Sequence, residues 1–180
     1  MGYAGGSTRN PSYHNLADHT ETVQVEYDPA RLSYRQLLEW FWTAHDAAVK
    51  PWSRQYRSVI FYHDEEQRQT AEASKAQEES RRGVPIYTEI VPYTNFYLAE
   101  GYHQKYYLQL LPQLMGELRT VYPDQRDFIN STVVARINGY LAGYGSMLEL
   151  QREIGDFGLS PAATKLLTAL VGARVEQREE

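Results

Sequence analysis

The residues best suited to proton chemistry lie near the start of the chain. Glu21 stands where a loop runs into a short segment of alternating apolar residues, His19 lies two residues earlier on the same side, and Tyr13 lies further back in the loop. A carboxyl group at such a junction can be partly removed from water, and desolvation favours its protonated form. A neutral carboxylic acid can donate a proton near neutral pH, which makes Glu21 a candidate general acid.

The same residues also suggest a metal site. His19 and Glu21 would place two ligands on one face of a strand, and His45 or His103 could supply the third ligand of a hydrolytic centre. This spacing is common in proteins, so it is weak evidence for a metal. The sequence contains no Ser-His-Asp arrangement and no phosphate-binding or dinucleotide-binding glycine pattern.

Several short motifs resemble those of peptide methionine sulfoxide reductase A, and they follow in the same order. The early ones are GYAGG at residues 2–6, NPSY at residues 10–13, HTETV at residues 19–23 and YDP at residues 27–29. QYRS at residues 55–58 and AEGYHQ at residues 99–104 agree as well. The resemblance extends from residue 2 to residue 109.

The resemblance implies a reaction and a role for each candidate residue. In that family a cysteine thiolate attacks the sulfur of methionine S-sulfoxide, the sulfoxide oxygen is protonated, and a sulfenic acid remains. By matching motif, Glu21 would donate the proton, Tyr13 and Tyr56 would bind the oxygen, and His19 would belong to the substrate-binding set, mainly by supporting the loop. Substrates would be oxidised proteins or peptides. Because this accounts for the residues without a metal, we expect no metal or other cofactor.

The chain departs from the family in one respect. The family's nucleophile is a cysteine in a GCFWG motif upstream of GYxGG, whereas this sequence starts at Met1 and contains no cysteine. We therefore expect an N-terminally truncated member that lacks the first strand and helix and is inactive as given. The alternatives are a non-catalytic binder of oxidised methionine and a partner-dependent structural remnant. Thioredoxin is the family's external reductant, but it is a doubtful partner for a chain without cysteine.

The elements that must position these residues can be predicted from caps and periodicity. Gly2–Pro29 is rich in turn residues, and its last part, Thr22–Tyr27, alternates as a half-buried strand does. Ser33 and Gln36 form a capping box at the start of a helix. Further predicted elements are a helix end near His45, a central strand at Ser58–Tyr62, a helix from Asp64 to Arg82, a strand at Ile86–Val91, and a helix after Phe96–Glu100 that fades toward Pro112.

The remainder of the chain has helical periodicity, over Asp127–Tyr144, Met147–Ile154 and Ser160–Val175. The alternation of strands and helices predicts an α+β fold. The resemblance implies a ferredoxin-like α/β sandwich. We therefore predict a reductase-like domain at residues 1–111 and a helical extension at residues 112–180.

Composition narrows the classes of partner. A net charge of -5 and a pI near 5.6 give no surplus of basic residues for a nucleic acid or an anionic membrane. No apolar run reaches transmembrane length, and Met1–Arg9 contains no hydrophobic signal region. We expect a cytoplasmic protein that binds neither nucleic acid nor membrane.

Overall fold

The computed structural model describes residues 1–179, and side chains as far as residue 174. The chain divides into two units, Met1–Glu100 and Gly101–Glu180. In chain order the first unit contains β1 (Gly2–Ala4), β2 (Thr20–Thr22), α1 (Tyr34–Ala44), β3 (Val59–Tyr62), α2 (Glu65–Arg82), β4 (Glu89–Pro92) and β5 (Phe96–Leu98).

Strand β1 is the middle strand of an antiparallel sheet with the order β2-β1-β5. Tyr3 and Ala4 are each 1% exposed, so the predicted glycine-rich turn is in fact a buried strand. A Cβ atom at Gly2 would lie 2.3 Å from the Phe96 ring and 2.4 Å from the Tyr97 carbonyl oxygen. Glycine is therefore required here by the close approach of β5.

The predicted strand at Thr22–Tyr27 is wrong in its position. The observed strand β2 is Thr20–Thr22, and it places Glu21 at its centre, opposite Tyr3. Val23 and Val25 are 68% and 54% exposed. The pairing ends because Thr22 lies opposite Gly2, the first residue of β1, so residues beyond Thr22 have no partner strand there.

Strands β3 and β4 form a separate two-stranded parallel sheet, joined through α2. The prediction that β3 would be central is wrong, because within this sheet it pairs with β4 alone. Strand β4 begins at Glu89 rather than at Ile86. Ile86 instead packs into a core with Leu38, Trp42 and Ala71.

Both predicted helices of the first unit are confirmed, with their caps. The Ser33 hydroxyl accepts the Gln36 N–H, and the Gln36 side chain accepts the Ser33 N–H, which completes the capping box of α1. Asp64 caps α2, and Gly83 ends that helix at a φ of 69°. The two helices are joined by the Trp42 indole N–H, which donates to Ser74 Oγ at 3.1 Å.

The second unit is helical. Its elements are α3 (Tyr106–Gln109), α4 (Pro112–Val121), α5 (Gln125–Asn130), α6 (Thr132–Leu141), α7 (Met147–Glu153) and α8 (Pro161–Glu179), with 3-10 turns at Gly101–His103 and Ile154–Phe157. The stretch predicted as one helix from residue 127 is interrupted at Ser131, which ends α5 and caps α6. Helix α4 was not predicted, because Pro112 was taken as an end and is instead its first residue.

The predicted α+β class is confirmed by this mixture of small sheets and helices. Each unit has its own core; that of the second includes Leu114, Phe128 and Leu167, all at 0% exposure. Across the described residues, no helix is both long enough and apolar enough to cross a bilayer. The division into a domain at residues 1–111 and an extension at residues 112–180 stays a prediction.

Candidate active site

A hydrogen-bonded cluster joins β2 to the loop that precedes β3. The Gln55 side-chain amide donates to Glu21 Oε1 at 2.7 Å and to the Tyr56 hydroxyl at 3.0 Å. The Gln55 carbonyl oxygen accepts the Glu21 backbone N–H at 3.1 Å. One residue thus fixes the backbone of the half-buried Glu21, its carboxyl group and the neighbouring phenol together.

Tyr13 completes the cluster through a side-chain hydrogen bond with Tyr56. This bond is the main reason that the pKa of Tyr56 is raised, followed by desolvation and by the nearby ionisable groups of Tyr13 and Glu21. The hydrogen bond from Gln55 acts in the opposite direction. The Tyr56 phenol therefore stays protonated at neutral pH and can donate a hydrogen bond to an oxygen atom.

The loop that carries Tyr13 is fixed by Glu100. The Tyr13 backbone N–H donates to Glu100 Oε1 at 3.0 Å, and the Tyr3 hydroxyl of β1 donates to Glu100 Oε2 at 2.6 Å. The carboxyl group that follows β5 thus links the loop to the central strand of the sheet. Glu100 belongs to the AEGYHQ motif, but the sequence did not reveal this positioning role.

His19 supports the loop from inside. It is 0% exposed, its Nδ1 accepts the Gly6 N–H at 3.2 Å, and its Nε2 lies 2.8 Å from the Thr8 carbonyl oxygen. Because Nδ1 is an acceptor, Nε2 carries the proton and donates to Thr8. The ring also packs edge-on against Tyr97. Both nitrogens are engaged, so the ring holds the loop, as the sequence suggested, and does not line the groove described next.

Glu21 and Tyr56 line an apolar groove of about 770 Å³ within the first unit. Its other walls come from α1 and β3, with Leu37, Phe41 and Ile60 among the apolar contributors. Neither Tyr13 nor His19 is part of the lining. The groove can hold an apolar group while the carboxyl group and the phenol contact a basic oxygen atom on it.

The metal alternative finds no support in the described part of the chain. His45 is engaged through both ring nitrogens, with the Phe41 carbonyl oxygen at 2.9 Å and Ser58 Oγ at 2.8 Å. Among the residues that the structure describes, no group of three or more histidine, aspartate or glutamate side chains is placed to hold a metal ion. His19 and Glu21 are therefore not completed by a third ligand there.

Of the predicted site residues, the structure brings Glu21, Tyr56 and Tyr13 together and sets His19 behind them. Gln55 was missed, although it lies next to Tyr56 in the QYRS motif. Its only sequence signal was that position. Arg57 of the same motif anchors the loop instead, since its Nε donates to Thr20 Oγ1 at 2.8 Å and its other end pairs with Glu89.

Comparisons with known proteins point to one family. A family model described as peptide methionine sulfoxide reductase matches residues 1–132. A relative of that name from Drosophila melanogaster is 44% identical over 163 residues, covering 89% of this chain and 65% of the relative. Peptide methionine sulfoxide reductase MsrA of Methanosarcina acetivorans is 46% identical over 119 residues, covering 59% and 63%. The chain thus spans less than two thirds of the length of these relatives.

Solved structures carry the same resemblance. The reduced form of Mxr1 from Saccharomyces cerevisiae superposes with a TM-score of 0.56 at 33% sequence identity. The match covers 62% of this chain and 70% of that one. The α+β arrangement observed here is therefore of the same type as in that protein.

Proposed function

Because the chain belongs to the peptide methionine sulfoxide reductase family, we propose that its first unit forms the acid and oxygen-binding side of a site that reduces methionine S-sulfoxide in proteins. The observation that supports this most directly is the hydrogen-bonded cluster of Glu21, Gln55, Tyr56 and Tyr13 beside an apolar groove. The substrate class comes from the family.

The chemistry fits these residue types. A sulfoxide oxygen is a poor leaving group until it accepts a proton, so an acid must lie beside it. Glu21 donates that proton as the attacking thiolate forms a bond to sulfur, and the hydroxyls of Tyr56 and Tyr13 hold the oxygen. The oxygen and its proton then move from the methionine sulfur to the attacking sulfur as the S–O bond and the new S–S bond break, so the products are methionine and a sulfenic acid.

The thiolate has no source among the 180 residues, which contain no cysteine. The groove offers a place for it, since a volume of about 770 Å³ exceeds what one methionine side chain fills. We place the thiol-bearing polypeptide, with the family's GCFWG motif, in the part of the groove that the substrate leaves free. We further propose that the substrates are proteins that contain methionine S-sulfoxide and that this protein is cytoplasmic.

Binding to the 180-residue chain tests the oxygen-binding side without any thiol. Short peptides with methionine S-sulfoxide, methionine R-sulfoxide or methionine are titrated against the wild type, Glu21→Gln and Tyr56→Phe. We expect the S-sulfoxide peptide to bind most tightly, and Tyr56→Phe to weaken it about twofold to tenfold through the loss of one neutral hydrogen bond. Glu26→Gln removes an exposed carboxyl group that does not line the groove and is the matched control.

The alternatives make different predictions. A structural remnant would bind the three peptides equally, which would contradict the proposal. A non-catalytic binder and a reductase both prefer the S-sulfoxide, and they separate when a GCFWG-bearing segment is joined before Met1. A reductase site then forms a sulfenic acid on the added cysteine in a single turnover, whereas a pure binder leaves the thiol unchanged.

A further inference from the structure

A row of exposed aromatic side chains crosses the rim of the proposed site. It consists of His14, Tyr13, Tyr56 and Trp52, and we call it the aromatic row. The rings of Tyr13 and His14 are 5.4 Å apart, those of Tyr56 and Trp52 are 5.1 Å apart, and Tyr13 and Tyr56 share a side-chain hydrogen bond. The row is therefore continuous, and its two middle members belong to the site.

Trp52 is more exposed than the two tyrosines of this row. Its side chain is 81% exposed, against 45% for Tyr56 and 37% for Tyr13. Single exposed apolar residues are ordinary on protein surfaces, but contiguous ones next to a site are typical of contacts with a partner. Trp52 does not line the groove, whereas Tyr56 does, so the indole extends the aromatic surface of the site beyond the groove.

We infer that Trp52 selects the sequence around the oxidised methionine, by stacking with an aromatic side chain two residues away from it in the substrate. This inference rests on the proposed function. In an extended peptide, side chains two positions apart lie on the same face, about 6.6 Å apart. The centres of the Tyr56 and Trp52 rings are 5.1 Å apart, a separation that a step of two residues can span. The side chain two positions from a sulfoxide held at the Tyr56 hydroxyl can therefore reach the indole.

The test measures peptide affinity for the 180-residue chain. The probes are uncharged peptides with one methionine S-sulfoxide and a single phenylalanine placed one or two positions to either side, with alanine at that position as the reference. Uncharged peptides prevent Lys50 and Arg54, which lie in the same loop as Trp52, from adding electrostatic attraction to the measured affinity. We expect phenylalanine at one of the two-residue positions to tighten binding about twofold to tenfold over alanine, and phenylalanine at the adjacent positions to give less.

Variants assign that gain to the indole. In Trp52→Ala the ratio between the phenylalanine and alanine peptides should fall to near one, while Trp52→Phe should keep most of it. Val49→Ala removes another exposed apolar side chain, 62% exposed, from the same loop and should leave the ratio unchanged. Because Trp52 is so exposed, its removal should not unfold the chain, which circular dichroism checks.

The outcomes distinguish a failure of this inference from a failure of the proposed function. If Trp52→Ala keeps the full ratio, or if phenylalanine gives no gain at either two-residue position, the inference is wrong. Preference for sulfoxide over methionine, measured on the peptides without phenylalanine, should survive in Trp52→Ala, since it depends on Glu21 and Tyr56. The wild-type chain could bind the phenylalanine peptides more tightly than the alanine peptides and yet show no preference for sulfoxide over methionine. That result would refute the proposed function and still support the Trp52 contact.

Discussion

Replacing Glu21 with glutamine is the sharpest test of the proposed acid. The substitution keeps the size of the side chain. It also keeps an oxygen that can accept the hydrogen bond from the Gln55 amide, which is 2.7 Å long in the wild-type chain. The backbone of Glu21 also keeps its pairing with Tyr3 and its N–H bond to Gln55. What the variant loses is the transferable proton.

The magnitudes of the two effects differ enough to be separated. Because the amide oxygen of glutamine can still accept the Gln55 hydrogen bond, the loss in binding should be at most about 1 kcal/mol. Loss of general acid catalysis typically lowers a rate about 10² to 10⁴-fold, which corresponds to roughly 3 to 5 kcal/mol of barrier. We therefore expect Glu21→Gln to affect the chemical step far more than peptide binding.

The assay is single-turnover formation of sulfenic acid in a fusion that carries a GCFWG segment before Met1. The sulfenic acid is trapped by a selective nucleophile and counted against the initial thiol. Tyr13→Phe and Tyr56→Phe serve as comparisons, and each should cost only about 1 kcal/mol, since each removes one neutral hydrogen bond and leaves the other phenol in place.

One pattern would refute this reasoning. If Glu21→Gln reacts at nearly the wild-type rate while a folded variant of His19 or His103 does not react, the acid has been misassigned to Glu21. For His19 such a result would be unexpected, because its ring is buried and engaged through both nitrogens. Circular dichroism of each variant would establish that the fold is retained.

Further predictions concern stability and self-association. Gly2→Ala should lower the stability of the first unit by about 1 to 3 kcal/mol in thermal unfolding, since its Cβ would overlap Phe96, whereas Gly116→Ala in α4 meets no atom within 4 Å and should stabilise its helix by about 0.5 to 1 kcal/mol. A backbone hydrogen bond from Ser7 holds the pKa of Asp18 well below its usual range. The contribution of Asp18 to folding stability should therefore be present above the ordinary aspartate pKa and disappear as the pH falls toward the lowered pKa. Asp18→Asn should make stability depend less on pH in the acid range, and an unchanged dependence would contradict this. Val25→Thr should reduce self-association in sedimentation runs, because this valine is 54% exposed in the groove; a wild-type chain that is already monomeric would refute the expectation.

Helices α1 and α2 were predictable because their signals are local. Ser33 with Gln36, and Asp64 with Gly83, fix the ends of α1 and α2 through bonds to residues a few positions away. Family motifs likewise pointed to Glu21, Tyr13 and Tyr56. None of these signals depends on where the rest of the chain lies.

The sheets and the supporting contacts depend on residues far away in sequence. Strand β1 has only three residues, and it is recognisable as a strand only through pairing with β2 and β5. Gln55 is part of the site because its amide meets Glu21, which is 34 positions earlier. A pattern that looks only at neighbours cannot show either contact, and so it also overestimated the length of β2.

The pairing of β1 with β5 has a consequence for how the protein folds. Gly2 lies opposite Leu98, and the Tyr3 hydroxyl bonds to Glu100, 97 positions away. Contacts of such long sequence separation close a large loop and form slowly, whereas β3, α2 and β4 are consecutive in the chain. We expect β3-α2-β4 to fold early and the sheet that carries Glu21 to fold last. Pulse-labelled hydrogen exchange during refolding would show it, with the Ala99 amide, which donates to the Met1 carbonyl oxygen, protected after the Glu89 amide, which donates to the Ser58 carbonyl oxygen. During synthesis on a ribosome, Glu21 would reach its final position only after residue 98 has left the exit tunnel.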